Sequence, residues 1–396
     1  MKNLFLILIL FLFGTISILA QSETCDCKTD LDFLVEKIKK MPSYKKQIKG
    51  EKATKFLKTY KKLSAEMQEP ILIEVCYKLL IEQMILINDV HASLQISKSY
   101  SAAQHNTKHP KTSNNITELT EILSNKELSD LEGIYNYNKN ERIGIYYSEN
   151  KKDLIAVVLE TGLKQWEVGD IRFYATHTDG NKYNFYYYDI DTKIPGFVKS
   201  LTFENGRIWS YKKEGNALDY EFADNDVNVA EFKTINEDTQ YLYFKTFGNS
   251  KKKALVEFYN NTKDKITAKN VIVDLRSNSG GNKKFSDPFL KLLKDKNVYV
   301  ITNCFAGSNG EQFTLKLLKN KNAKHLGQTT RGIIAYGMNY GYKYKTPSGY
   351  FNLTPTDMNF HKYIAYEGKG ITPEISLDFN SDWIEQTLEI IENDKN

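Results

Sequence analysis

Cysteine and histidine are scarce in this sequence, four and six residues among 396, and each scarcity closes off a class of chemistry. Cys25, Cys27, Cys76 and Cys304 permit disulfides but are too few to define a disulfide scaffold. Cys25-x-Cys27 has no second pair and no nearby histidine at a ligand spacing, so no zinc site is expected. Charge of one sign is lacking as well. The 54 Lys and Arg against 49 Asp and Glu leave a net +5, intermixed rather than blocked, which reads as a solvated surface and not as a nucleic-acid patch. There is no internal repeat and no P-loop. The turn at 274–281 lacks the G-x-G-x-x-G spacing of a dinucleotide site. Neither a metal nor a cofactor is expected.

The apolar run at residues 4–13 follows Lys2 and leads to small residues, with Ala20 before Gln21 as the cleavage point. Residues 1–20 therefore read as a signal peptide. The run falls short of the roughly 20 residues a membrane span needs. Ser22-Glu23-Thr24 is too polar to make Cys25 a lipid-attachment site. The mature chain is expected to be exported, periplasmic or secreted, without stable membrane insertion.

Three regions follow. Residues 21–125 read as helical: Leu31, Phe33, Leu34, Val35 and Ile38 recur at helical spacing, and Pro70 opens a second apolar-periodic helix over 71–87. A bridge from Cys25 or Cys27 to Cys76 would staple these helices. Residues 101–115 form a polar loop or lid. Residues 126–225 alternate in short aromatic and β-branched runs punctuated by Asp179-Gly180 and Asn205-Gly206, a meander of strands. Its aromatics either line a binding face or fill a small β-core. Residues 226–396 alternate strands (241–244, 271–274, 298–303) with helices (252–260, 287–294, 312–318), the pattern of an α/β core.

Ser308 sits where an apolar strand gives way to an amphipathic helix, in Gly307-Ser308-Asn309-Gly310-Glu311. Ser308-x-x-Glu311 is a capping box, and a hydroxyl in this place is also how a fold builds a serine nucleophile beside backbone oxyanion donors. A base is then needed. His91 ends the apolar run of the second helix in Asn88-Asp89-Val90-His91, where a histidine also compensates a helix dipole.

Five segments in order, Asp89-x-His91, Asp274-Leu-Arg-x-Asn-x-Gly-Gly281, Ser308-x-x-Glu311, Gly327-x-x-Thr330-x-Gly332 and Glu367-Gly-x-Gly-Ile-x-Pro373, resemble the C-terminal-processing (tail-specific) serine peptidases. The resemblance covers about 60–100 and nearly all of 228–376. It implies a ClpP/crotonase-like α/β catalytic core, with the N-terminal helical segment contributing His91 and the β-rich region inserted where many relatives carry a PDZ domain. In the lysine branch of that family the base follows the second glycine of G-x-x-T-x-G. Here that residue is Ile333, so the resemblance is to the tricorn-like, retinoid-binding-protein-like branch with a Ser-His-Glu site.

By that resemblance Ser308 attacks the scissile carbonyl of a polypeptide, His91 is the general base, and Glu367 belongs to the network orienting the imidazole. Backbone amides of Asn309, Gly280 and Gly281 would hold the oxyanion. The chain departs from the family at Val90, where a serine is usual before the histidine, and at Ser277, where glycine is usual. These departures support the alternative of a catalytically weakened peptide-binding relative.

Overall fold

The computed structural model describes residues 24–395 apart from 98–99, 101–108, 138–139, 217 and 224–228. The expected signal peptide and most of the 101–115 loop lie outside the described residues. The first layer is helical: β1 (Thr24–Cys25), α1 (Cys27–Lys40), α2 (Pro42–Gln47), α3 (Glu51–Glu66), β2 (Ile71–Leu72) and α4 (Ile73–Met84). The apolar spacing of α1 buries Leu31, Leu34, Val35 and Ile38 on one face, and Asp26 caps it by accepting from Thr29 N–H at 3.0 Å. Of the two bridges open to the sequence, Cys27–Cys76 is formed and joins α1 to α4.

Two boundaries of the helical layer differ from expectation. Residues 71–72 pair with β1 instead of opening the helix, so α4 starts at Ile73. That helix also stops at Met84, and its apolar continuation turns inward as a loop with Ile87 buried. His91 is thus well past the last helical turn, and the dipole reading of this histidine fails. β3 (Ser93–Ile96) follows it directly.

After α5 (Ile116–Ser124) come β4 (Gly133–Tyr137), β5 (Glu141–Tyr147), β6 (Leu154–Thr161), β7 (Ile171–Asp179), β8 (Lys182–Tyr188), β9 (Pro195–Glu204), β10 (Arg207–Ile208) and β11 (Tyr211–Lys213). Each pairs antiparallel with the next, and Lys212 and Lys213 of β11 pair with Asn136 and Tyr135 of β4. The meander therefore closes into an eight-stranded barrel. Inward-pointing Tyr135, Ile143, Phe173, Phe185 and Phe203 fill it, as expected of a barrel this narrow. The aromatics are mainly core.

The last region is a doubly covered sheet. In chain order it holds β12 (Ala230–Thr234), β13 (Thr239–Phe244), α6 (Lys252–Thr262), β14 (Asn270–Asp274), α7 (Lys283–Leu292), β15 (Asn297–Thr302), α8 (Asn309–Leu317) and β16 (Ala323–Gly327). β17 (Tyr336–Gly337), β18 (Tyr344–Lys345), β19 (Phe351–Thr354), β20 (Met358–Asn359), β21 (Ile375–Ser376) and α9 (Trp383–Asn393) complete it. The strand order is β12-β13-β14-β15-β16-β21, parallel from β13 onward with β12 antiparallel at the edge. Leu242, Val271, Val273, Val298 and Val300 face Phe289 and Phe313 of α7 and α8. Their alternates Tyr241, Ile272, Tyr299 and Ile301 face Trp383 of α9. β19 leaves this region to pair with β3, which brings the chain just after His91 against the C-terminal part. The whole is a mixed helix-and-sheet protein, and no helix among the described residues is long and apolar enough to cross a membrane.

Candidate active site

The carboxyl ends of parallel strands are where open α/β sheets place their chemistry, and here β14 and β15 deliver two adjoining turns. The chain leaves β15 and reaches Ser308 with φ 55° and ψ −120°, a backbone conformation that a side-chain-bearing residue seldom adopts. Such strain costs about 1–3 kcal/mol and persists only where the surroundings impose it. Small residues make the sharp turn possible. A Cβ on Gly280 would lie 2.6 Å from Ser308 Cβ, and one on Gly310 would lie 2.7 Å from Asn278 Oδ1. A half-buried serine on a strained strand-to-helix turn is the geometry of a nucleophile elbow. The short residues Ala306, Gly307 and Gly310 were the available sequence signal for it.

Glu311 does what the capping-box spacing predicts and more. Its Oε2 accepts from Ser308 N–H at 3.0 Å and from Ile333 N–H at 3.0 Å. Its Oε1 accepts from Thr330 Oγ1 at 2.6 Å and Gly332 N–H at 2.7 Å. Burial pushes its pKa up, against the pull of those four donors. Ser308 N–H also donates to Ile333 C=O at 3.0 Å, so segment 330–333 is strapped to the serine turn.

The next two amides of that segment belong to the other carboxylate. Glu367 Oε2 accepts from Ile334 and Ala335 N–H at 2.9 and 2.7 Å, and its Oε1 accepts from Val90 N–H at 2.8 Å. Asn88 Nδ2 donates to Glu367 C=O at 2.8 Å. Ser308, Glu367 and the Val90–His91 pair are therefore linked through one six-residue strand of backbone, 330–335. Glu367 holds amides on both sides and makes no hydrogen bond to the His91 ring. Burial raises its pKa to about 7, with the three amides pulling the other way and Asp89 adding to the rise.

His91 is half-buried by exposed area but crowded by neighbours. Its Nδ1 is buried without a hydrogen-bond partner, and no hydrogen bond joins it to Ser308 in this structure. Burial lowers its pKa to about 4, opposed by the Asp89 carboxylate and reinforced by the Arg331 guanidinium. Arg331 is fixed in the same region, with its N–H on Ala306 C=O at 2.9 Å and Nη2 on Lys199 C=O at 2.8 Å. Asp89 is fully buried, accepting from Ala92 N–H and from Thr356 Oγ1. Four other histidines are described; three make a hydrogen bond elsewhere, and His361 makes only a ring contact, its Nε2 being buried without a partner. His109 bonds Ile171 C=O, His177 bonds Gly180 C=O, His325 bonds Thr302 Oγ1, and His361 packs against Tyr336. His105 lies outside the described residues.

The turn after β14 wraps around Asn278, whose Nδ2 donates to Phe244 C=O at 2.7 Å and whose Oδ1 accepts from Gly280 N–H at 2.9 Å. That amide is occupied. Phe247 bonds the residues on either side of Gly281, at Gly280 C=O and Asn282 N–H, so the Gly281 amide faces away from Phe247. Asn309 N–H opens α8 and has no acceptor among the described residues, as first-turn amides commonly do. Ser277 has φ 56°, which explains why glycine suits this place. Asn303 secures it by accepting from Ser277 N–H and donating to Ser277 Oγ.

No protein-family model matches the chain, and no curated protein matches it. The solved structures to which the chain is loosely similar include a lipoprotein from Streptococcus agalactiae, at 16% identity and TM-score 0.32 over 42% of this chain and 71% of that one, and several peptidases. The chain is similar to mature CPAF at 10% identity and TM-score 0.46, over 92% of this chain and 96% of that one. It is similar to the tricorn protease at 13% and 0.45, over 93% and 37%. It is similar to the photosystem II D1 C-terminal processing protease at 10% and 0.42, over 92% and 97%. Likeness this loose assigns no activity, which has to come from the side chains.

Proposed function

We propose that this chain is a serine peptidase acting on polypeptides, in which Ser308 is the nucleophile and His91 the general base. The observation that carries the reading is segment 330–335. Its amides bind Glu311 of the strained serine turn on one side and Glu367, which also holds Val90 N–H of the histidine loop, on the other. Attack of Ser308 Oγ on the scissile carbonyl forms an acyl-enzyme while His91 takes the hydroxyl proton and passes it to the leaving amine. Asn309 and Gly281 amides are suited to the oxyanion, and Gly280 contributes by letting the two turns touch. Glu367 acts by fixing the backbone that presents His91. Catalytic contacts often tighten only with substrate bound, consistent with an unpartnered Nδ1 in the free protein. The apolar leader and the Cys27–Cys76 bridge favour an exported enzyme.

The test is covalent trapping. A fluorophosphonate probe should modify the protein once, with the adduct on the peptide containing Ser308 by mass spectrometry. A folded protein that stays unmodified would instead support the weakened, peptide-binding relative.

The pH profile of labelling follows from His91. The base must be neutral, and a pKa near 4 leaves it neutral throughout the mildly acidic range. Labelling should therefore fall on acidification through about pH 4, not through the ordinary histidine value near 6.5. Glu367 also titrates in this range, at about 7, so an acid limb centred near 6.5 that persists in Glu367→Gln would show that the ring is solvated and the burial argument is wrong.

A further inference from the structure

We propose that barrel strand β9 is a working part of this site, and that Lys199 is the positioning residue for His91. The inference rests on the peptidase reading for its consequence but on hydrogen bonds for its basis. The β8–β9 pairing slips register between Tyr183 and Phe185. Opposite the slip, Ser200 takes φ 56° and its N–H turns to Asn184 Oδ1 at 3.0 Å. A bulge re-aims side chains out of a strand. Here it sends two neighbouring residues toward the core at once.

Lys199 Nζ donates to Asp89 C=O at 2.8 Å and Ile87 C=O at 3.3 Å, on either side of the turn that leads into His91. Ser200 Oγ donates to Gly368 C=O at 2.6 Å, directly after Glu367. Lys182, on the adjoining β8, donates to Thr330 C=O at 2.8 Å and Thr202 Oγ1 at 2.7 Å. Three of the four segments that assemble the site, all but the serine turn itself, thus receive a side chain from the barrel. Arg331 returns the contact by donating to Lys199 C=O.

Packing alone does not call for this. Lys199 is 9% exposed, and burial lowers its pKa while the Asp89 and Glu367 carboxylates raise it. An apolar side chain in its place would escape the desolvation of an ammonium group. What the ammonium does, and an apolar residue could not, is pin two carbonyls of the His91 turn in a fixed relation. Asp89 and Arg331 are the charged groups that face His91, and both are in turn tied to Lys199, one through its backbone carbonyl and the other through its guanidinium.

The experiment compares the full-length wild-type chain with Lys199→Met and Ser200→Ala. It reads three quantities: the thermal midpoint, the rate of fluorophosphonate labelling, and the ring nitrogen resonances of ¹⁵N-histidine-labelled protein. Lys199→Met is expected to keep a cooperative unfolding transition, slow labelling by about 100-fold as a misplaced catalytic group does, and move the His91 ring signals while the other histidines stay put. Ser200→Ala, which deletes one hydroxyl and is safe for folding, should slow labelling several-fold. Wild-type labelling rates and unmoved His91 signals in both variants would overturn the proposal. If the wild type itself is not labelled, the peptidase reading fails. The His91 signals still decide the clamp on their own.

Discussion

Replacing Ser308 with alanine should abolish fluorophosphonate labelling and lower peptide hydrolysis by about 10⁶-fold, the order found when the nucleophile of a serine peptidase is removed. His91→Ala should cost a similar factor, and the double variant should be no worse than either single one. Nucleophile and base act as a unit, so once one is gone the other has nothing to do. Additive losses would mean that the two residues contribute separately, which two structural residues in different loops would do. Thermal midpoints should change little in Ser308→Ala, and relief of the backbone strain is not expected because alanine also carries a Cβ. The comparison is made with steady-state hydrolysis of an unfolded protein substrate and the labelling rate, both on protein whose folding has been verified.

Glu311→Ala should be the most destabilising single change at the site, at about 4 kcal/mol or more. The carboxyl is fully buried and takes hydrogen bonds from three backbone amides and a hydroxyl. A buried donor left without a partner costs about 1–3 kcal/mol, and losses above 4–5 kcal/mol are rare enough to be diagnostic. The magnitude discriminates between two roles. A residue that merely caps a helix is worth about 1 kcal/mol, so a loss of that size in urea-induced unfolding would show that the four-donor arrangement does not form in solution. Glu311→Gln keeps one acceptor oxygen but turns an NH₂ toward two donors, and should fall between the wild type and the alanine variant.

Much of the scaffold could be read from local patterns. Period-two runs gave the strands of the barrel and period-3.6 runs gave α1 and the helices around the sheet. Closure of the barrel was not legible, because it rests on β11 meeting β4, a pairing that no local pattern encodes. The end of α4 was misread for a related reason: residues 85–87 stay apolar because the loop they form is buried, not because they are helical. Helix α7 starts at Lys283, earlier than expected, since Asn282 supplies its cap by accepting from Lys284 N–H. At the proposed site, motif order is what nominates Ser308, His91 and Glu367. It did not reveal Lys199, Arg331 or Asn278, whose partners lie far away in sequence. Glu311 was seen only as a cap, because three of its four donors come from 330–333. The positive φ at Ser308 had a sequence trace in its small neighbours, and it could have been drawn from them.

The bond from Val90 N–H to Glu367 spans 277 residues, and under the proposed function it bears on when the protein could act on its neighbours. The serine turn is held by contacts within the C-terminal region, yet His91, the proposed base, follows the helical layer, and its loop is tied down by a residue near the other end of the chain. A partly folded molecule, or a fragment holding either portion, carries a reactive-looking serine with nothing to activate it. Under the proposed function, hydrolytic capacity would be a property of the finished tertiary structure, and loss of that structure would switch it off before the chain could attack other unfolded chains around it.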